Sequence, residues 1–261
     1  MDEAPPGSAF TIELQRLRLA DPLRWLALGW RDFRQAPGIG LFYGCCFAGM
    51  GWLLLAVFQR APAWTLALSA GFLLMGPFLC LGLYDASRRL ERGERPDLGE
   101  SLTAWDTRTG TMAVFGGVLL ILEMLWGRAS LIVFAVSFDG MPDFKGSLLA
   151  LLDPGNIGFI VGYLVVAALF GGLIFAISVV AMPMILDRQT DAITAGLTSL
   201  RLCLAEPDVM LLWALLTALI TALAMLPWFL GLLLAAPVIG HASWHAYRGA
   251  VRPEAADLPR P

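Results

Sequence analysis

Long apolar stretches alternate along the chain with short arginine-bearing ones, and the length of the apolar stretches sets the first expectation. At ~1.5 Å of rise per residue, about 20 apolar residues in a helix cross the hydrocarbon core of a bilayer. Residues 39–58 form one such run and residues 63–84 a second, with Arg60, Ala61 and Pro62 between them. A third covers 111–134, and a fourth covers 157–186, which is longer than the minimum and so is expected to tilt or protrude. The last run, Val209 to Tyr247, would make a helix of roughly 57 Å if continuous. Pro227 stands near its middle, where a helix loses a hydrogen bond and kinks. The expected division is therefore into spans 209–226 and 228–247, joined by a tight turn. The pattern predicts an all-α membrane protein, a six-transmembrane-helix bundle with an N-terminal segment 1–38, one membrane domain 39–247 and a tail 248–261.

Three weaker periodic segments precede the first, third and fifth spans. Leu23, Leu26, Trp30 and Phe33 recur at helical spacing while Arg24, Arg31 and Gln35 take another face, and Asp21-Pro22 offers an N-cap and first helical position. Leu98, Leu102 and Trp105 repeat the pattern, as do Ile193, Leu197, Leu200 and Leu204 before Pro207. Such helices either lie in the membrane interface with arginines reaching headgroups or pack under the ends of the bundle. Spans two, four and six carry Pro77, Pro183 and Pro237, each followed eight residues later by a polar residue: Asp85, Asp191 and His245. Three tandem helical hairpins, each preceded by an interfacial amphipathic helix, would account for this spacing; with sixteen prolines in the chain, so would coincidence.

Composition strengthens the membrane reading. Hydrophobic residues make up 58% and charged residues 15%, against ~45–50% and ~25% in soluble domains. The net charge of −3 gives no reason to expect nucleic acid. The placement of the arginines is more informative. With the N-terminus inside, fifteen of the eighteen basic residues fall on inside segments; Arg60 and Lys145 fall outside, and Arg128 lies in the third run. This bias is what the positive-inside rule counts, and a five-span chain would put Arg248, Arg252 and Arg260 outside. Both termini are therefore expected in the cytoplasm. Residues 1–20, with Asp2, Glu3, Glu13, Arg16 and Arg18, lack the apolar region of a signal peptide. Cys45, Cys46, Cys80 and Cys203 show no CxxC metal spacing and read as reduced, packing thiols.

Few residues suggest chemistry. Glu123 falls near the middle of the third run, where a charged carboxylate is costly and is either functional or paired. Arg128, five residues on, is poorly aligned as its partner. His241 and His245, the two histidines, share a helix face at i, i+4 and with an acidic third ligand would suit a metal. The HExxH pattern is absent, and polar residues at a boundary are the plainer reading. Asp85, Asp187 and Asp191 stand near Arg88, Arg89 and Arg188, where interfacial ion pairing is expected; a polar vestibule of Asp85, Asp191 and His245 follows only from a true threefold repeat. Small residues Gly44, Ala48, Gly51 and Gly171-Gly172 suit close helix packing. Trp52, Trp64, Trp126, Trp213 and Trp228 fall mostly near the expected interfaces. No Walker loop, dinucleotide fingerprint or nucleophile elbow is present, so no catalytic, cofactor or metal residue is assigned.

The stretch Gly29-Trp30-Arg31-Asp32-Phe33, followed by Pro37, Gly40-Leu41-Phe42-Tyr43-Gly44 and Gly51-Trp52, resembles the opening of a bacterial integral membrane family known as domain of unknown function 2189. Gly76-Pro77-Phe78, leading through Gly82-Leu83-Tyr84-Asp85 to Ser87-Arg88 and Glu91-Arg92-Gly93, resembles it too. The resemblance covers most of residues 20–250 and implies a bacterial inner-membrane location and a multi-span fold. It carries no activity. The expectation is a non-enzymatic accessory, scaffold or assembly factor whose partners are lipids and other membrane proteins or further copies of itself. The rival is a small-solute or ion transporter using Glu123.

Overall fold

The computed structural model describes residue 9 and residues 11–60, 65–137, 156–188 and 190–252. These residues form helices α1 (Asp21–Gln35), α2 (Pro37–Arg60), α3 (Thr65–Glu91), α4 (Leu98–Leu102), α5 (Thr109–Ser137), α6 (Ile157–Ser178), α7 (Ala181–Asp187), α8 (Ala192–Ala205), α9 (Pro207–Met225) and α10 (Leu232–Ala250). Among the described residues the one β feature is an isolated antiparallel bridge, Leu14 to Val251. The expected outside loop with Lys145, the start of the second span and most of the tail lie outside the described residues.

Four helical stretches among the described residues are long and apolar enough to cross a membrane: Pro37–Arg60, Thr109–Ser137, Ile157–Asp187 and Pro207–Met225. The third is interrupted. Pro183 has no N–H to give the carbonyl of Val179, and the helix breaks at residues 179–180 before resuming as α7. The chain does reverse at Pro227: Trp228 and Phe229 adopt φ of 54° and 63°. The turn is tight enough that a Cβ on Gly231 would sit 2.6 Å from the Ala224 Cα.

Tight packing is concentrated at the arginine-rich end. There Trp25, Tyr84, Met112, Ile185, Trp213 and Tyr247 share one buried cluster, and Trp25 meets Trp213 edge-on at 5.5 Å. Trp213 is thus a core residue and not part of an interfacial belt. Toward the other end the helices are mostly uncovered, with only 17–22% of the apolar windows of the four crossing stretches buried. Along α2, small residues nonetheless let α10 approach closely. A Cβ on Gly44 would lie 2.3 Å from the Leu233 carbonyl oxygen, and one on Gly51 2.5 Å from the Phe229 ring. Gly171 and Gly172, also expected to pack closely, have nothing within 4 Å of the corresponding position.

The amphipathic segments are helical, but their buried faces differ from the expected ones. α1 buries Trp25, Gly29, Asp32 and Phe33 and leaves Leu23 and Trp30 exposed. α8 buries Ala192, Ala195, Thr198, Ser199 and Leu202, while Ile193, Leu197 and Leu204 face outward. Leu102 and Trp105 are likewise exposed. Small and polar residues, together with Trp25, Phe33 and Leu202, seat these helices on the bundle, and Leu23, Trp30, Ile193 and Leu204 are left facing outward. Asp21 is the first residue of α1, not its cap; Ala20 holds the cap position, and the Asp21 carboxylate accepts the Arg18 N–H at 2.7 Å.

The two ends of the described chain meet. Gln15 N–H donates to the Ala250 carbonyl at 2.8 Å and Arg252 N–H to that of Glu13 at 3.1 Å, while the Arg201 guanidinium donates to the carbonyls of Ala9 and Ile12.

Candidate functional site

α10 places His241 and His245 one turn apart on the face that meets α1 and α3. α1 docks along α10 closely enough that a Cβ on Gly29 would lie 2.6 Å from the Val238 carbonyl oxygen. This docking brings Asp32 to His245, with Nε2 to Oδ2 at 2.7 Å. α3 brings the Ser87 hydroxyl 2.8 Å from His241 Nδ1. Asp32, Ser87 and His241 are fully buried, and His241 Nε2 has no hydrogen-bond partner among the described atoms. Burial pushes the Asp32 carboxyl up, but the hydrogen bond and charge of His245, with help from Ser87, hold it below its ordinary value. The cluster clamps three helices together. Its hydroxyl–imidazole pair is sealed from solvent, and among the described residues no three histidines, cysteines or acids gather for a metal.

The other expected residues do not converge. Asp85 accepts from Arg88 and from Arg89 Nε, the latter at 2.8 Å, and Arg89 continues to Glu100 at 2.6 Å. These bonds, that of Asp85 foremost, raise the Arg89 guanidinium above its ordinary value. Asp191 caps α8, its Oδ1 accepting the N–H groups of Ile193 and Thr194, each at 2.9 Å; the Thr194 bonds hold its carboxyl below the usual range. Asp85, Asp191 and His245 each serve a different partner, so the vestibule expected from the repeat is not formed by them. Asp187 accepts the Tyr247 hydroxyl at 2.8 Å and Arg248 at 3.5 Å, and Arg248 Nε reaches Glu91 at 3.1 Å.

Glu123 is buried, and its Oε2 is without a hydrogen bond. Arg128 is exposed and makes no pair with it, since five residues carry a helix about 140° past the starting face. The Ser130 hydroxyl, two turns along the same face, is also buried and unpartnered. Elsewhere a cavity of about 500 Å³ opens between α2, α3 and α5. Tyr43 and Ser101 line it, their hydroxyls 2.8 Å apart.

Sequence reasoning missed Asp32, Ser87, Glu91 and Tyr247 as members of polar clusters. Only Asp32 left a signal: with Trp25 and Gly29 it falls at i, i+4, i+7 on α1, a polar residue on the face that docks.

A helical bundle with four crossing stretches and large uncovered apolar faces defines an integral membrane protein. Residues 65–187 match the model of a family described as predicted integral membrane protein (DUF2189), the family that the sequence resembles. The match runs from α3 to the end of α7 and so contains the Gly76–Gly93 motifs. No curated protein and no solved structure matches the chain.

Proposed function

We propose that the protein is a six-span, non-enzymatic accessory or assembly scaffold of the bacterial inner membrane, with both termini in the cytoplasm. The observation that carries this reading is the uneven burial of the helices. One end is locked by an aromatic core and ion pairs, whereas most of the apolar surface of α5, α6 and α9 is uncovered. Such faces suit lipid and the helices of other membrane proteins, and α6 buries none of its residues completely. The α9–α10 hairpin supplies the fifth and sixth spans. Purification in mild detergent after in-membrane crosslinking tests the proposal: partner or self adducts through α5 or α6 are expected. A chain that yields no adduct and instead moves a solute in liposomes overturns it.

Glu123 favours a second reading, a transporter, because a buried carboxyl oxygen without a partner is costly in a span. Glu123→Gln would then abolish uptake in liposomes while leaving the fold intact; unchanged uptake in that variant removes this reading.

A further inference from the structure

We propose that the cavity between the first turns of α1 and the last turn of α10 binds the phosphate headgroup of an anionic phospholipid. The cavity is of about 560 Å³, and Arg16, Arg18, Arg24, Trp25, His245 and Arg248 are among its walls. Its charges do not balance internally. Asp21 is the one acid lining it, and the carboxylate of Asp21 already accepts a backbone N–H. Arg248 is held by Glu91 and Asp187, and His245 by Asp32. The guanidinium groups of Arg16, Arg18 and Arg24 have no carboxylate partner among the described residues. Three like charges crowd one concavity, and a bound anion relieves their repulsion; guanidinium is the group best matched to phosphate oxygens. The N-terminus of α1, whose cap residue Ala20 offers no side-chain acceptor, adds the positive end of a fifteen-residue helix.

One observation favours a lipid over a free phosphate. Leu19 and Leu23, on the same segment, are 62% and 60% exposed, so the site is bordered by apolar surface that acyl chains would cover. The segment bearing Arg16 and Arg18 is also fixed before any ligand arrives. It is tied to the end of α10 by the bonds of Glu13 and Gln15 and anchored further back by Arg201. An arginine near an anionic surface contributes ~1 kcal/mol, so loss of three weakens retention about a hundredfold.

Native mass spectrometry of the full chain in mild detergent, titrated with phosphatidylglycerol, phosphatidylcholine or inorganic phosphate, tests the assignment. Phosphatidylglycerol should be retained, with retention falling about a hundredfold in Arg16→Gln/Arg18→Gln/Arg24→Gln and partially in Arg24→Gln alone. Arg34→Gln, on the same helix but outside the cavity, should bind as the unaltered protein does. Equal retention by the triple variant, equal uptake of phosphatidylcholine, or displacement of the lipid by inorganic phosphate would each overturn the lipid assignment. These charges are on exposed side chains, and a thermal melt of each variant separates lost binding from lost fold.

Discussion

His245 Nε2 stands 2.7 Å from the buried carboxylate of Asp32, tying the first helix of the chain to the last. Removing the carboxylate leaves the His245 imidazole without its hydrogen-bond partner in a largely buried place, which typically costs about 1–3 kcal/mol. Asp32→Ala should therefore lower the thermal midpoint in detergent sharply, and Asp32→Asn, which keeps the shape and one acceptor, should lower it less. Equal midpoints for Asp32→Ala and the unaltered chain would remove the clamp from the account.

The same residue predicts an acid limit. Its carboxyl sits below the ordinary value of 3.8 in the folded chain. Its stabilisation is thus complete above the unfolded value and is lost as pH falls through the lowered folded one. As the pH is taken from neutral down through that lowered folded value, the unaltered protein should lose more stability than Asp32→Asn. Circular dichroism melts across that range supply the comparison, and parallel loss in both proteins would place the acid sensitivity elsewhere.

Gly44 sets how closely α2 and α10 approach, because an added Cβ would meet the Leu233 carbonyl at 2.3 Å. Gly44→Ala should destabilise by about 1–3 kcal/mol. Gly171→Ala, in open space, should change nothing or add slightly to helix stability. A pair of detergent melts decides, and a Gly44→Ala protein as stable as Gly171→Ala would contradict the contact.

Asp191 is a capping residue, so Asp191→Ala should cost about 1 kcal/mol of stability and Asp191→Asn or Asp191→Ser far less. Because its carboxyl is also held low, the benefit is present above the unfolded value and fades in acid as pH drops through the folded one. Rescue by Asn distinguishes a cap from a role that needs charge: if Asp191→Asn were as damaging as Asp191→Ala, capping would not explain the residue.

Topology has its own test. A cysteine placed at Trp228, in the turn between α9 and α10, should react with a membrane-impermeant thiol reagent from the periplasmic side, and a reporter fused after the last residue should be active only in the cytoplasm. Labelling of position 228 from the cytoplasmic side alone would remove the fifth and sixth spans.

Much of this architecture was legible in one dimension. Uncharged runs near the bilayer thickness became α2, α5 and the α6–α7 stretch, because an unbroken helix satisfies its own backbone wherever water is absent. Pro227 marked a reversal, since it can neither donate to the preceding turn nor sit in a straight helix. The glycines of α2 marked a close approach. The arginines announced which end would be polar, though not that Arg89 would bridge Asp85 to Glu100 or that Arg248 would reach Glu91.

What only the tertiary structure decided is which face of each helix meets protein and which is left uncovered. In water an apolar stripe points to the core, but lipid tails are as apolar as leucine, so hydrophobicity no longer separates the two faces. For that reason Leu23, Trp30, Ile193 and Leu204 turned outward, and Gly29, Asp32, Thr198 and Ser199 turned inward. The Asp32–His245 and Ser87–His241 contacts depend on how α1 and α3 dock against α10, a relation between distant segments that local periodicity does not encode.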